Sequence, residues 1–158
     1  MIRYRRGRHG HTRNPSRAQA LVEFALVAPI FFLILFSIID FGRYVYYVQI
    51  LNNAAREGAR YAIVHGSHGI PSSGPPPIGM TSSDPSGANV IAVVRKQSIG
   101  VIGGGGAALN IQPQWLDGSN ARGNTVLVTV SYPFKTIIPI VPIPTITITG
   151  ESTLVINN

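Results

Sequence analysis

Apolar residues are concentrated in one run near the N-terminus of the chain. Residues 18–39 read AQALVEFALVAPIFFLILFSII, in which only Gln19, Glu23 and Ser37 are polar. About 20 consecutive apolar residues form a helix long enough to cross the hydrocarbon core of a bilayer. A small soluble domain could hardly cover a helix that is apolar on every side. The run therefore predicts a transmembrane helix over residues 19–41.

The helical pattern continues beyond the apolar run but becomes amphipathic. Small or apolar side chains recur at spacings of three and four along one face, and polar side chains follow another. The first face carries Tyr44, Val48, Leu51, Ala55, Gly58 and Ala62, and the second carries Gln49, Asn53, Arg56 and Arg60. A cleaved secretory signal would be followed by a turn and a cleavage context, which are absent here. We expect one continuous helix over residues 19–64, about 65–70 Å long.

A long loop and a short helix are predicted next. Residues 65–84 are rich in Pro, Gly and Ser, which is typical of a loop. Asp84-Pro85 resembles a helix N-cap followed by proline at the first helical position. A second helix is therefore expected from this pair to about Ser98, where the glycine-rich run at 100–106 ends it.

The last third of the chain predicts a small antiparallel sheet. The expected strands are Leu109–Trp115, Thr125–Tyr132 and Thr145–Ile156, with a turn at Asp117-Gly118 and a bulge at Gly150. Pro133, Pro139, Pro142 and Pro144 confine residues 133–144 to a loop or a sheet edge. The apolar face of the long helix should pack on Val126, Val128, Val130, Ile146 and Ile148. The fold class is then α+β, with the long helix on the sheet and a second, short helix.

Positive charge is concentrated before the apolar run and predicts the orientation of the helix. Six of the 13 basic residues are arginines within the first 17 positions, namely Arg3, Arg5, Arg6, Arg8, Arg13 and Arg17. Such an excess favours the cytoplasmic side. We expect residues 1–18 to be a basic cytoplasmic leader and residues 42–158 to form an exported domain. From Ala18 onward seven bases face six acids, which argues against nucleic-acid binding.

The sequence offers no convincing active site. It has no cysteine, which excludes disulfides and thiol chemistry. Glu23, Asp40 and Glu57 are spaced 17 residues apart, about 25 Å along a helix, so no two can form an acid–base pair. His65 and His68 lie in a glycine-rich loop and lack the rigid face of a helical zinc motif. We therefore expect a protein that is not an enzyme and has no cofactor or metal.

Glu23 is the residue that the membrane helix does not explain. A carboxylate among lipid tails costs a few kcal/mol unless it is paired, so an intramembrane acid is a candidate functional residue. The alternative is that Glu23 reaches back to the cytoplasmic headgroups, because it is only a turn or two from Arg17.

Residues 17–64 resemble the opening of TadE-like proteins, which are minor pseudopilins of tight-adherence (Tad/Flp) pilus systems. The residues that carry the resemblance are ALVEFALV at 20–27, DFGR at 40–43 and NAAREGARYA at 53–62. VTVSYPF at 128–134 is similar but less specific. The family motifs on the helix comprise Asp40, Phe41, Gly42, Arg43, Asn53, Ala54, Ala55, Arg56, Glu57, Gly58, Ala59 and Arg60. The resemblance implies a pilin-like fold and a role in pilus assembly without catalysis.

The resemblance also implies processing by a prepilin peptidase, five residues ahead of the glutamate. The cut would fall between Ala18 and Gln19, which makes Glu23 the fifth residue of the mature chain, followed by Phe24. Ala18 departs from the glycine usual at this position. Glu23 would then pair with the new N-terminal amine of a neighbouring subunit and fix the register of assembly.

The implied partners are other pilin or pseudopilin subunits, the prepilin peptidase, the lipid bilayer and, indirectly, the Tad platform proteins and secretion ATPase. The implied location is the bacterial cytoplasmic membrane, with the possibility of entry into the pilus. Two alternatives remain at this point. One is a major type IV-like pilin, and the other is a binding or enzymatic domain that uses the first helix only as a signal anchor.

Overall fold

The computed structural model describes residues 15–100, 109–137 and 145–158. Most of the basic leader, the glycine-rich run beyond Gly100, and three of the four prolines in residues 133–144 lie outside these ranges. Five elements follow one another along the described chain. They are α1 (Pro15–Val64), α2 (Ala88–Gln97), β1 (Asn110–Trp115), β2 (Thr125–Phe134) and β3 (Ile146–Val155). This is the α+β architecture that the sequence predicts.

The long helix is continuous, as the uninterrupted periodicity predicts. Helix α1 has 50 residues and contains Pro29 in its interior. Its C-terminal half packs on the sheet and on α2, whereas its N-terminal half extends away from the rest of the described chain. The prediction that the amphipathic face packs on the sheet is therefore confirmed.

The three strands form one antiparallel sheet in the order β1-β2-β3. Val126, Val128 and Val130 on β2 are fully buried under α1, together with Ile148 on β3. The predicted face of the sheet is thus correct. Ile146, the first residue of β3, shares this face but is 41% exposed.

The predicted bulge at Gly150 is wrong. Strands β2 and β3 pair without interruption from Thr125↔Val155 to Phe134↔Ile146, and Gly150 lies opposite Val130 within this ladder. A Cβ at Gly150 would lie 2.5 Å from the carbonyl carbon of Leu51. The glycine therefore allows the helix and the strand to approach closely, and it does not form a bulge.

Helix α2 begins later than the Asp84-Pro85 pattern predicts. Its first residue is Ala88, and Gly87 precedes it with a left-handed φ of 73°. The Asp84 carboxylate still caps the helix from further out, since it accepts hydrogen bonds of 2.8 Å from the N–H groups of Ala88 and Asn89. The capping role predicted for Asp84 is correct, but the helix starts after an additional turn.

Proline positions agree with the rule that proline avoids the hydrogen-bonded interior of a sheet. Pro113 lies on β1, an edge strand. Pro133 belongs to β2, which extends two residues past the predicted end at Tyr132. Pairing with β1 stops at Ser131, so Pro133 has a neighbouring strand on one side only.

Candidate functional site

The N-terminal half of α1 is an uncovered apolar surface. An 18-residue window of this helix has a mean hydropathy of 2.6 and none of it is buried. Exposed apolar area on this scale marks an interaction surface, because water would strongly disfavour it. The helix is long and apolar enough to cross a membrane.

Three of the residues expected to act in processing and assembly lie on this uncovered segment. Gln19, Glu23 and Phe24 are all exposed, and Phe24 is 69% exposed. Glu23 makes no hydrogen bond to any other described side chain. The bond between Ala18 and Gln19 lies within α1, which begins at Pro15. Glu23 is thus exposed on the uncovered segment of α1.

The DFGR motif marks the point where the helix meets the domain. Asp40 is buried, and its two carboxylate oxygens have different partners. One accepts a hydrogen bond of 2.8 Å from the guanidinium of Arg43, and the other accepts one of 2.9 Å from the backbone N–H of Ile137. This carboxylate therefore ties the segment after β2 to the helix at the end of the apolar run.

Arg43 connects the same motif to a cluster of aromatic rings. Its guanidinium carbon lies 5.3 Å from the centre of the Phe134 ring and 5.7 Å from that of Tyr47, within the range of cation–π attraction. Tyr47 also meets Phe134 and Tyr132 edge to face, at 5.8 and 5.6 Å. The site therefore has two halves. DFGR contributes the helical half, and the SYPF end of β2 contributes the other.

The other two residues of the DFGR motif point away from this site. Phe41 is 69% exposed. A Cβ on Gly42 would find no atom within 4 Å. Phe41 is thus largely exposed, and the space beside Gly42 is open.

The NAAREGAR segment has one face of small residues and one of charged residues. Ala54, Ala55, Gly58 and Ala59 are all buried against the sheet and α2. At Gly58 a Cβ would lie 2.3 Å from Cγ2 of Val94, so the small side chains set how closely α2 approaches. Asn53, Arg56 and Arg60 are exposed and Glu57 is half-buried. The motif thus combines a packing surface with a solvent-facing basic one.

The loop between the helices is held by polar contacts that the sequence does not reveal. Asn120 is fully buried, and its side-chain amide donates to the carbonyl of Ser73 at 3.0 Å. Its backbone donates to the carbonyl of Pro75 and accepts from the N–H of Ser67. No local pattern around Asn120 predicts these contacts, because the partners lie more than 40 positions away.

Asp84 is the one acid in the loop between α1 and α2, and its carboxylate accepts several hydrogen bonds. Burial of its carboxyl would raise the pKa, but hydrogen bonds from the N–H groups of Asn89 and Ala88 and from the hydroxyls of Ser86 and Ser73 outweigh this effect. The pKa of Asp84 is therefore lowered from its ordinary value. The carboxylate stabilises both the start of α2 and a segment of the loop.

The two loop histidines do not form a ligand pair. His65 stacks on Tyr61 with ring centres 3.8 Å apart, and its Nδ1 lies 2.9 Å from the Tyr61 carbonyl oxygen. Nδ1 of His68 instead contacts the hydroxyl of Ser67. Within residues 15–100, 109–137 and 145–158, no three His, Asp or Glu side chains are grouped so that they could hold a metal ion.

A helix with an uncovered apolar half and a domain packed on its other half suggests a protein that one helix anchors in a membrane. A family model described as TadE-like protein matches residues 18–60. This confirms the family resemblance over the segment that contains the apolar run, DFGR and NAAREGAR. The match covers 43 of the 158 residues, all of them on α1. No curated protein and no solved structure shows significant similarity to the chain.

Proposed function

We propose that this protein is a membrane-anchored TadE-like pseudopilin that takes part in the assembly of a Tad/Flp-type pilus and catalyses no reaction. The observation that carries the proposal is that the family match, residues 18–60, coincides with a helix half uncovered and half packed on its domain. An uncovered apolar helix serves membrane retention first and packing against other such helices during assembly. The domain beyond residue 42 would be presented outside the cytoplasm.

Glu23 is proposed to fix the register of this helix among its neighbours. After cleavage between Ala18 and Gln19, the new amine and the Glu23 carboxylate would be separated by four residues, about 6 Å along the helix. A neighbouring subunit shifted by that amount can pair its amine with this carboxylate. Leaving such a charge buried and unpaired costs about 3–5 kcal/mol, which is enough to prevent docking.

The proposed partners are other pilin or pseudopilin subunits and a prepilin peptidase, with platform proteins and an ATPase acting indirectly. The exposed residues of the family motifs, among them Phe41, Arg56 and Arg60, are candidates for contacts with these partners. Their exposure supports this assignment, because folding of the domain does not use them.

The decisive experiment replaces Glu23 with Gln in a strain whose only copy of the gene is the variant. We expect normal membrane levels of the protein but loss of pili or of subunit incorporation. The matched control is Glu151→Gln, which removes an exposed carboxylate from β3 and should leave piliation unchanged. Normal piliation by Glu23→Gln would show that the helix is only an anchor.

Processing is tested separately by sequencing the N-terminus of the protein from membranes of its native host. A terminus at Gln19 supports the proposal, and an Ala18→Gly variant should be cleaved at least as efficiently. A terminus that retains Met1 would mean that the protein works uncleaved. The abundance of the protein in purified filaments distinguishes a minor pseudopilin from a major pilin.

A further inference from the structure

A second group of exposed apolar side chains lies where the helix leaves its apolar run. Ile99 is 68% exposed, Ile137 is 51% exposed and Tyr46 is 53% exposed. We call this group, completed by Phe41 and Val45, the underside of the domain. These side chains come from three separate parts of the chain, so their common position is a product of the fold.

The height of the underside relative to α1 follows from two contacts. The Ile137 N–H donates to Asp40, which places this residue beside the end of the apolar run. A Cβ on Gly100 would lie 2.9 Å from the hydroxyl oxygen of Tyr46. Helical side chains lean toward the N-terminus, so the Tyr46 hydroxyl lies nearer the apolar run than its own Cα does. Gly100, which contacts that hydroxyl, is therefore no farther from the apolar run than the Cα of Tyr46. Six residues separate Asp40 from Tyr46, a rise of about 9 Å.

This range of height runs from the edge of the hydrocarbon core at Asp40 to the outer edge of the headgroup layer at Tyr46. The apolar run before Asp40 is about 20 residues and spans about 30 Å, the thickness of the hydrocarbon core. The headgroups add roughly 5–8 Å on each side. If the helix spans the membrane, the underside lies at the lipid surface, because α1 is unbroken and its rise fixes the distance between the span and the domain.

The charges at this end of the domain are suited to anionic lipid. Arg95 and Lys96 occupy the last turn of α2, a few residues before Ile99, and Lys135 follows the end of β2. All three are exposed, and the only ion pair among the described residues is that of Asp40 with Arg43. Basic side chains beside exposed apolar ones are the composition of surfaces that bind anionic membranes.

We propose that the underside binds the bilayer surface on the domain's side, with Ile99 and Ile137 among the headgroups and the three basic residues on anionic phospholipid. The domain then rests on the membrane before assembly instead of standing free above it. This inference rests on the membrane anchoring in the proposed function but not on pilus assembly. A second protein subunit on the same surface is the competing occupant.

The test measures how close individual positions lie to lipid in the full-length protein. The sequence has no cysteine, so Ile99→Cys and Ile137→Cys each provide a single site for an environment-sensitive fluorophore. The protein is reconstituted in vesicles of phosphatidylcholine and phosphatidylglycerol that carry a spin-labelled lipid as quencher. Ile34→Cys, within the apolar run, reports the anchor, and Ile78→Cys, on the opposite end of the domain, reports exposure to water.

We expect quenching at Ile99 and Ile137 at least twofold greater than at Ile78. Quenching equal to that at Ile78 would overturn the inference while leaving the anchor intact, provided that Ile34 is quenched. An unquenched Ile34 would instead contradict the anchoring itself. The two failures are thus distinguishable.

The charge component is tested with the same labels. Removing phosphatidylglycerol, or combining Lys96→Gln with Lys135→Gln, should reduce quenching at Ile99 at least twofold. Arg122→Gln removes an exposed base at the other end of the domain and should have no effect. If quenching at Ile99 is unchanged by both treatments, anionic lipid has no role in binding. A blue-shifted emission at Ile99 without lipid quenching, which is lost when the protein is diluted in the vesicles, identifies a second subunit as the occupant and overturns the proposal.

Discussion

The Asp40 carboxylate accepts a hydrogen bond from the backbone N–H of Ile137, 97 positions later in the chain. The same carboxylate is paired with Arg43 on the next turn of the helix. The acid of the DFGR motif is thus a structural tie between the end of the apolar run and the end of β2, and this gives the motif a physical reason within one subunit.

Replacing Asp40 with Ala should lower the free energy of unfolding by about 2–3 kcal/mol. The change leaves a half-buried guanidinium and a backbone N–H without their acceptor, and each such loss has a cost. Chemical unfolding of the detergent-solubilised protein, followed by the fluorescence of Trp115, measures it. Asp117→Ala removes an exposed acid that also accepts a backbone hydrogen bond, from Thr125, and should cost less. Equal effects of the two changes would argue against a special role for Asp40.

Two glycines of the same helix should respond oppositely to alanine. Gly58→Ala should destabilise the domain by about 1–3 kcal/mol, because its methyl group would overlap Val94. Gly42→Ala should stabilise it by up to about 1 kcal/mol, because the helix gains a better helix former in open space. Chemical unfolding curves of the two variants, compared with that of the unmodified protein, measure both changes in the free energy of unfolding. If Gly42→Ala is stable but impairs piliation, the open space at Gly42 is used by a partner.

Stability should fall in acid partly through Asp84. Its folded-state pKa lies below the unfolded value of about 3.9, so the carboxylate contributes stability above that pH. The contribution is lost as the pH falls through the lower, folded-state pKa. Asp84→Asn should therefore reduce stability at neutral pH and flatten the decline toward acid pH. Glu151→Gln is the control, and an unchanged acid profile in Asp84→Asn would show that another group is responsible.

The topology predicted from the arginine-rich leader can be tested in intact spheroplasts. Protease added from outside should remove residues 65–158, because positive flanks are retained in the cytoplasm. A tag before Met1 should survive the same treatment. Protection of the C-terminal domain, in cells whose periplasmic control protein is digested, would reverse the orientation.

The helices and strands can be predicted from the sequence where one strong local pattern determines them. The periodicity of residues 44–62 defines the helix face, and the alternation of Val126, Val128 and Val130 defines the sheet face. The bulge predicted at Gly150 is wrong because a glycine within a strand is compatible with a bulge or with a close neighbour, and only the position of α1 decides between them. The contacts of Asp40 with Ile137 and of Asn120 with the loop join distant parts of the chain and leave no local signal.

Hydrogen bonds join the sheet and its flanking segments to α1 at two levels, and these bonds determine how a force along the helix is transmitted. At the end of the apolar run, Asp40 accepts a hydrogen bond from the N–H of Ile137. At the other end of the sheet, the N–H of Asn157 and the side chain of Asn158 donate to the carbonyls of Ile63 and Val64. Between them Gly150 brings the strand against the helix backbone. A force applied along α1 is therefore shared by both sets of hydrogen bonds, and the sheet moves with the helix when the helix is displaced along its axis.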